Sequence, residues 1–208
     1  MVIIISENML NVLREEIRGQ MSERRYKHTL GVENAVEYMA EFFITSRKSE
    51  LRAAALLHDI TKEYSFEKQL KICNEFGIIL RDDEISVPEV LHGITAAALI
   101  PYYYPNYASE DIVSSVRWHT TGYESMTLFD KIICLADYIE DGREYCECIE
   151  VRNFFKSNII TALNYSERIN ILNISLLRSL SNTINHLESA GKTINQDTIK
   201  AKDWLTKQ

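Results

Sequence analysis

The apolar positions of this chain recur at helical spacing almost from end to end. Leu10, Leu13 and Ile17 share one face behind Ser6, a residue type that caps helix starts, and Gly19 stands where a helix stops. Ser22 opens a longer helix to about residue 43, Ser49 caps 50–63, and Ser65 opens a helix that Gly77 closes. Pro88 takes a first helical position ahead of 89–100, and 101–107 reads as a Pro/Tyr-rich loop. Ser109 caps a helix ending near His119 with Gly122 just past it, and Thr127 caps 128–141, followed by Gly142. Helices are also predicted at 151–164, 167–190 and 196–206. Only 1–5 and 78–80 look strand-like, and both are short. The pattern predicts an all-α bundle of about nine or ten helices.

Composition supports this. Gly (7) and Pro (3) are scarce among 208 residues, whereas sheet-rich folds need many turn residues. Hydrophobic residues at 46% and charged residues at 25% are ordinary globular usage, which excludes wholesale disorder. There is no repeat or Pro/Ser-rich linker, so residues 1–208 are expected to form one domain. A net charge of −7 argues against a nucleic-acid polymer as partner. It leaves room for a small anion in a locally positive pocket. The apolar start Met1–Ile5 is too short for a signal peptide and lacks a basic flank, and no run approaches the ~18 apolar residues of a membrane span. The four cysteines form no CxxC pair; Cys146 and Cys148 could chelate a metal weakly, but reduced cytosolic thiols are the plainer reading. The expectation is a cytoplasmic protein without membrane partners, and a homodimer is open.

Chemistry enters with the histidines. His28 shares a face with Val32, Ala35, Val36 and Met39; His58 follows Leu51, Ala54 and Ala55; His92 precedes Ala96 and Leu99; His119 follows Ile112 and Val116. An apolar stripe faces neighbouring helices, so four imidazoles point inward. Asp137, on the stripe with Ile133, joins them, as does Asp59. One inward histidine is more often a satisfied core residue than a ligand. Four with two carboxylates need partners, and a metal supplies them. His186, between Ile184 and Leu187, reads as structural or exposed.

The order H…HD…H…H…D, together with Arg25-Tyr26-Lys27-His28-Thr29, Leu56-Leu57-His58-Asp59-Ile60-Thr61-Lys62, Leu91-His92-Gly93, Arg117-Trp118-His119-Thr120-Thr121-Gly122 and Ala136-Asp137-Tyr138-Ile139-Glu140-Asp141-Gly142-Arg143, resembles the HD-domain metal phosphohydrolases. The likeness is closer to the YqeK family of symmetrical diadenosine-tetraphosphate hydrolases. Asp141 departs from the proline expected there. The resemblance implies an HD-type helical domain with a motif-bearing core at about 22–145 and a C-terminal helical extension at about 150–208. It implies one metal on His28, His58, Asp59 and Asp137, with Asp59 bridging to a second completed by His92 and His119. Such mixed ligands suit iron, manganese or zinc better than magnesium; the resemblance favours two irons.

The implied activity is symmetrical cleavage of diadenosine tetraphosphate to two ADP by a metal-activated water. Asp59, Lys62 and Arg25 are the expected catalytic groups, and Arg25, Lys62, Thr120 and Arg143 the phosphate-binding ones. Each also has a plain reading: a solvated face or ion pair for the cations, a helix-end hydrogen bond for Thr120. Tyr102, Tyr103, Tyr104 and Tyr107 could stack a base, although packing suits most of them better. Two alternatives stay open: an HD-type phosphohydrolase of nucleoside monophosphates, cyclic dinucleotides or alarmones, and a non-catalytic metal-dependent nucleotide sensor.

Overall fold

A computed structural model of the chain describes residues 4–208. Eleven α-helices account for the described fold: α1 (Glu7–Arg18), α2 (Glu23–Phe43), α3 (Lys48–Leu57), α4 (Phe66–Glu75), α5 (Asp82–Ile85), α6 (Leu91–Tyr103), α7 (Glu110–Trp118), α8 (Leu128–Ile139), α9 (Cys146–Ile159), α10 (Tyr165–Ser189) and α11 (Gln196–Leu205). Single 3-10 turns at Thr45–Arg47, Pro88–Val90 and Pro105–Tyr107 join some of them. The expected caps form: the side chains of Ser6, Ser22, Ser65, Ser109 and Thr127 each accept a first-turn backbone N–H. Among the described residues there is no strand. Of the strand-like start, residues 1–3 lie outside the described residues, and Ile4 and Ile5 are irregular. Ile78 and Leu80 turn their side chains onto the small cluster of Cys73, Leu91 and Ile94 and meet no partner strand.

Helix α3 sits at the centre. Leu51, Ala53, Ala54, Ala55, Leu56 and Leu57 are fully buried, and its buried charges, Glu50 and Arg52, are ion-paired. Arg47 donates to Glu50 at 2.8 and 2.6 Å, and Arg52 to Glu33 at 2.9 Å and Glu7 at 2.6 Å. A helix apolar on all sides needs neighbours on all sides. Helices α2, α1, α7 and α8 pack against it. Helix α10 lays Leu172, Leu176, Leu180 and Ile184 along one stripe and packs on α2, α8, α9 and α11.

Several boundaries differ from the sequence pattern, each for a local reason. Helix α3 enters through the 3-10 turn at Thr45–Arg47, so Ser49 lies inside it rather than capping it. It stops at Leu57, not 63, because Thr61 leaves the helix to donate its hydroxyl to the His92 carbonyl at 2.8 Å. Helix α6 runs through Pro101 to Tyr103 instead of yielding to a loop, and Pro88 opens the 3-10 turn before it. Helix α8 ends at Ile139 because Glu140 turns its carboxylate inward. Helix α9 starts at Cys146, where Tyr145 offers no capping side chain, and Asn164 caps α10 rather than ending α9. No helix among the described residues is long and apolar enough to cross a membrane.

Phe155 of α9 is fully buried in the shared core. Its replacement by Ala is expected to cost about 3–5 kcal/mol in urea unfolding. Helical circular dichroism and the fluorescence of Trp118 and Trp204, one in each part of the chain, should report a single coincident transition.

Candidate metal centre

The ends of α3, α7 and α8, the first turn of α6 and the second turn of α2 deliver the inward side chains to one place. His58 and His119 are the C-cap residues of α3 and α7, where the last carbonyls lack intrahelical partners. Each ring turns its Nδ1 to such a carbonyl, Ala55 O at 2.6 Å and Val116 O at 2.8 Å. His92, in the first turn of α6, does the same with Glu89 O at 2.7 Å. A carbonyl can only accept, so the proton is assigned to Nδ1 and the Nε2 lone pair is left for a ligand role. His28, in the second turn of α2, reaches the same state by donating Nδ1–H to Glu140 Oε1 at 3.2 Å.

The four Nε2 atoms surround Asp59, the first residue past the α3 cap, which is 3% exposed. Its Oδ2 lies 3.3 Å from His58 Nε2 and 3.6 Å from His28 Nε2; its Oδ1 lies 3.2 Å from His92 Nε2 and 3.6 Å from His119 Nε2. Asp137, in the last turn of α8, places Oδ1 3.0 Å from His28 Nε2 and 4.0 Å from His58 Nε2. Ligand atoms of His28, His58 and Asp137 lie within 4.8 Å of one another, as do those of His58, Asp59 and His119. His28 Nε2, His58 Nε2 and Asp59 Oδ1 are buried without a hydrogen bond of good geometry. Buried polar atoms are rarely left so. Divalent cations on the two sides of Asp59 would satisfy them, and the mixed imidazole–carboxylate donors suit a transition metal.

Two glycines allow the convergence. At Gly93 a Cβ would stand 2.8 Å from Arg117 O, so its absence lets α6 approach α7 and brings His92 Nε2 to 2.9 Å from His119 Nε2. At Gly31 a Cβ would overlap the Glu140 carboxylate. The candidate phosphate-binding residues ring the centre. Arg25 Nη1 donates to Asp59 Oδ2 at 2.5 Å, Arg143 Nη2 to Asp137 Oδ1 at 2.7 Å, and Lys62 Nζ lies 3.2 Å from His92 Nε2. Thr120 Oγ1 is 3.0 Å from His119 Nε2 and 3.1 Å from His92 Nε2.

A cavity of about 640 Å³ opens from this cluster. Lys62, His119, Thr120, Asp137 and Arg143 line it beside the cluster, and Tyr138, Tyr145, Glu147, Leu180, Asn182 and Leu187 are among its other walls. Helix α10 thus forms one wall, and His186, exposed, stands at its rim. The tyrosines at the end of α6 and just past it are elsewhere. Tyr103 and Tyr104 line a separate cavity with Tyr64 and Phe76, Tyr107 donates its hydroxyl to Met9 O at 2.9 Å, and Tyr102 is exposed. Glu140 escaped the sequence reading because its partner His28 is 112 positions away. Its place beside Asp137 was the one signal available.

A match to the HD domain family spans residues 25–142, the stretch that carries all of these ligand candidates. The chain belongs to the HD domain family. It is 32% identical to a Bacillus subtilis protein named bis(5'-nucleosyl)-tetraphosphatase, symmetrical, over 91% of this chain and 93% of that one. A protein of the same name from Halalkalibacterium halodurans is 30% identical over 91% and 92%. The fold matches a crystal structure described as a predicted HD superfamily hydrolase involved in NAD metabolism, from Clostridium acetobutylicum. The TM-score is 0.81 and the identity 31%, over 95% of this chain and 96% of that chain. This HD-domain chain is a hydrolase, and its His/Asp groups could hold the metal on which HD-domain hydrolases depend.

The electrostatics are those of a cluster awaiting positive charge. Burial disfavours protonation of His28, but the carboxylates of Asp137 and Glu140 prevail and push its pKa up to about 9. Burial and the Lys62 ammonium pull His92 down to about 3, and burial lowers His119. Burial would raise Asp59 and Asp137, yet the imidazoles around Asp59, and Arg143 beside Asp137, hold both well below the usual carboxylate range. Protonated His28 therefore stabilises metal-free protein in full below pH 6.5, and this is lost as pH rises through 9. Neutral His92 favours the fold above pH 6.5 and loses that effect as pH falls towards 3. Metal-free protein should resist urea best near pH 6.5. Zn²⁺ binding must expel the His28 proton, so affinity in a chelator competition should rise about tenfold per pH unit between 7 and 9.

Proposed function

We propose that this chain hydrolyses a phosphoanhydride bond of a dinucleoside polyphosphate, splitting diadenosine tetraphosphate symmetrically into two ADP. The observation that carries the reading is the continuity of the His/Asp cluster with a cavity lined by Lys62 and Arg143 and also by the apolar surface of Tyr138, Leu180 and Leu187. The names of the Bacillus subtilis and Halalkalibacterium halodurans relatives supply the substrate class.

His28, His58, Asp59 and Asp137 would hold one metal, and Asp59, His92 and His119 a second, with iron favoured and manganese or zinc compatible. Two such ions supply acidification of a water and stabilisation of charge on phosphoryl oxygens. Asp59, with one oxygen turned to each pair of imidazoles, spans the two sets. The remaining work falls to side chains already in place. Arg143 presents a planar fork at the cavity wall, and Lys62 a point charge beside His92. Burial pulls the Lys62 pKa down against the opposing pull of Asp59 and Asp137, so the ammonium is poorly solvated and gains most from a phosphate. Arg25 lies against Asp59, where it neutralises a transferring phosphoryl oxygen, and the Thr120 hydroxyl offers a donor on the other side. One nucleoside half rests against Tyr138, Leu180 and Leu187, with Asn182 within the same wall. Water adds to the phosphorus second from that nucleoside, the bond to the bridging oxygen breaks, and the other ADP leaves with that oxygen.

Incubating metal-loaded protein with diadenosine tetraphosphate and resolving the products chromatographically should yield ADP alone. ATP plus AMP would overturn the symmetric placement. Asp59→Asn should lose metal and turnover together. Arg143→Ala should retain metal in bulk analysis and fall by about 10²–10³ in kcat/KM, the typical loss for one charge-stabilising donor.

A further inference from the structure

We infer that Arg152, on α9 in the C-terminal extension, is a positioning residue for the metal ligand His28 and for Arg143. This rests on the metal reading above and extends it to a residue outside the matched family region. Arg152 donates Nε–H to Ile139 O at 2.6 Å and Nη2–H to Arg143 O at 2.7 Å, and Nη2 also reaches Glu140 O. One guanidinium thus ties together the carbonyl end of α8 and both ends of the 140–143 turn. Its side chain is 12% exposed, so these bonds form largely out of water.

The inner side of that turn faces the metal centre. Glu140, 3% exposed, holds His28 Nδ1 at 3.2 Å with Oε1 and accepts the Gly142 N–H at 2.6 Å with Oε2. Arg143 donates Nε–H to Asp137 O at 3.1 Å and Nη2–H to Asp137 Oδ1 at 2.7 Å. Gly31 on α2 keeps the space that the Glu140 carboxylate fills. A clamp on the outside of the turn therefore fixes two groups on its inside, and the planar fork of arginine spans carbonyls that a single ammonium cannot. Lys156, one turn further along α9, supplies a control: it bonds at 2.8 Å to the exposed Asp141 carboxylate, which Arg152 Nε also approaches at 3.4 Å, but to none of the carbonyls of the turn.

Two readouts separate the clamp from general stability. In metal-free protein, hydrogen exchange at the amides of Gly142 and Arg143 should quicken in Arg152→Ala and Arg152→Lys while the core of α3 stays protected. In Zn²⁺ competition against a chromogenic chelator, both variants should bind about tenfold more weakly than wild type, the low end for partners that orient a metal ligand. Lys156→Ala should match wild type. Because Arg152 acts on His28 through Glu140, the double variant with Glu140→Ala should lose less Zn²⁺ affinity than the two single losses combined, the remainder reporting the route through Arg143 to Asp137. Unchanged exchange at Gly142 and Arg143, wild-type affinity in both Arg152 variants, or losses that add in full would each overturn the proposal. Should Arg152→Ala fail to fold, Arg152→Lys, which keeps the charge, decides. Wild-type protein that binds no Zn²⁺ would refute the metal reading, and the exchange arm would still decide the clamp.

Discussion

A carboxylate with almost no water around it has to be balanced by its surroundings, and Asp59 sits in that position at the junction of α3, α6 and α7. Four imidazoles and the Arg25 guanidinium crowd it within 3.6 Å. Burial raises its pKa and the surrounding donors more than reverse the effect, so it stays ionised and stays put. Much of the architecture follows from holding these groups at contact. The buried ion pairs of α3 keep that helix central, Gly93 admits α6, and the Thr61 hydroxyl fastens the turn beyond Asp59 to the His92 carbonyl.

The imidazoles owe their direction to a feature of helices in general. A helix ends with carbonyls that nothing inside the helix can satisfy, and His58 and His119 stand where those carbonyls are. Bonding them protonates one ring nitrogen and aims the other inward. The same device that finishes the helix therefore prepares a ligand.

This explains what could be read in advance. Caps formed by Ser6, Ser22, Ser65, Ser109 and Thr127 were legible because a capping hydroxyl acts within three residues. The inward histidines were legible because helical periodicity gives each face. Boundaries failed where a distant bond overrode the local pattern, as with Thr61 and Glu140. The tyrosines at 102–107 could have stacked a base, but chemical type without position cannot choose between two cavities: Tyr103 and Tyr104 line the other one, and Tyr102 and Tyr107 line neither. The extension carried no motif because its contributions are a wall of ordinary side chains and an arginine bonding to backbone, which leave no signature in sequence.

The cavity wall on α10 also has a bearing on synthesis. The ligands from His28 to Asp137 leave the ribosome well before Ser179, Asn182 and Leu187. A nascent chain thus carries every candidate metal ligand before it carries the α10 wall of the cavity beside them.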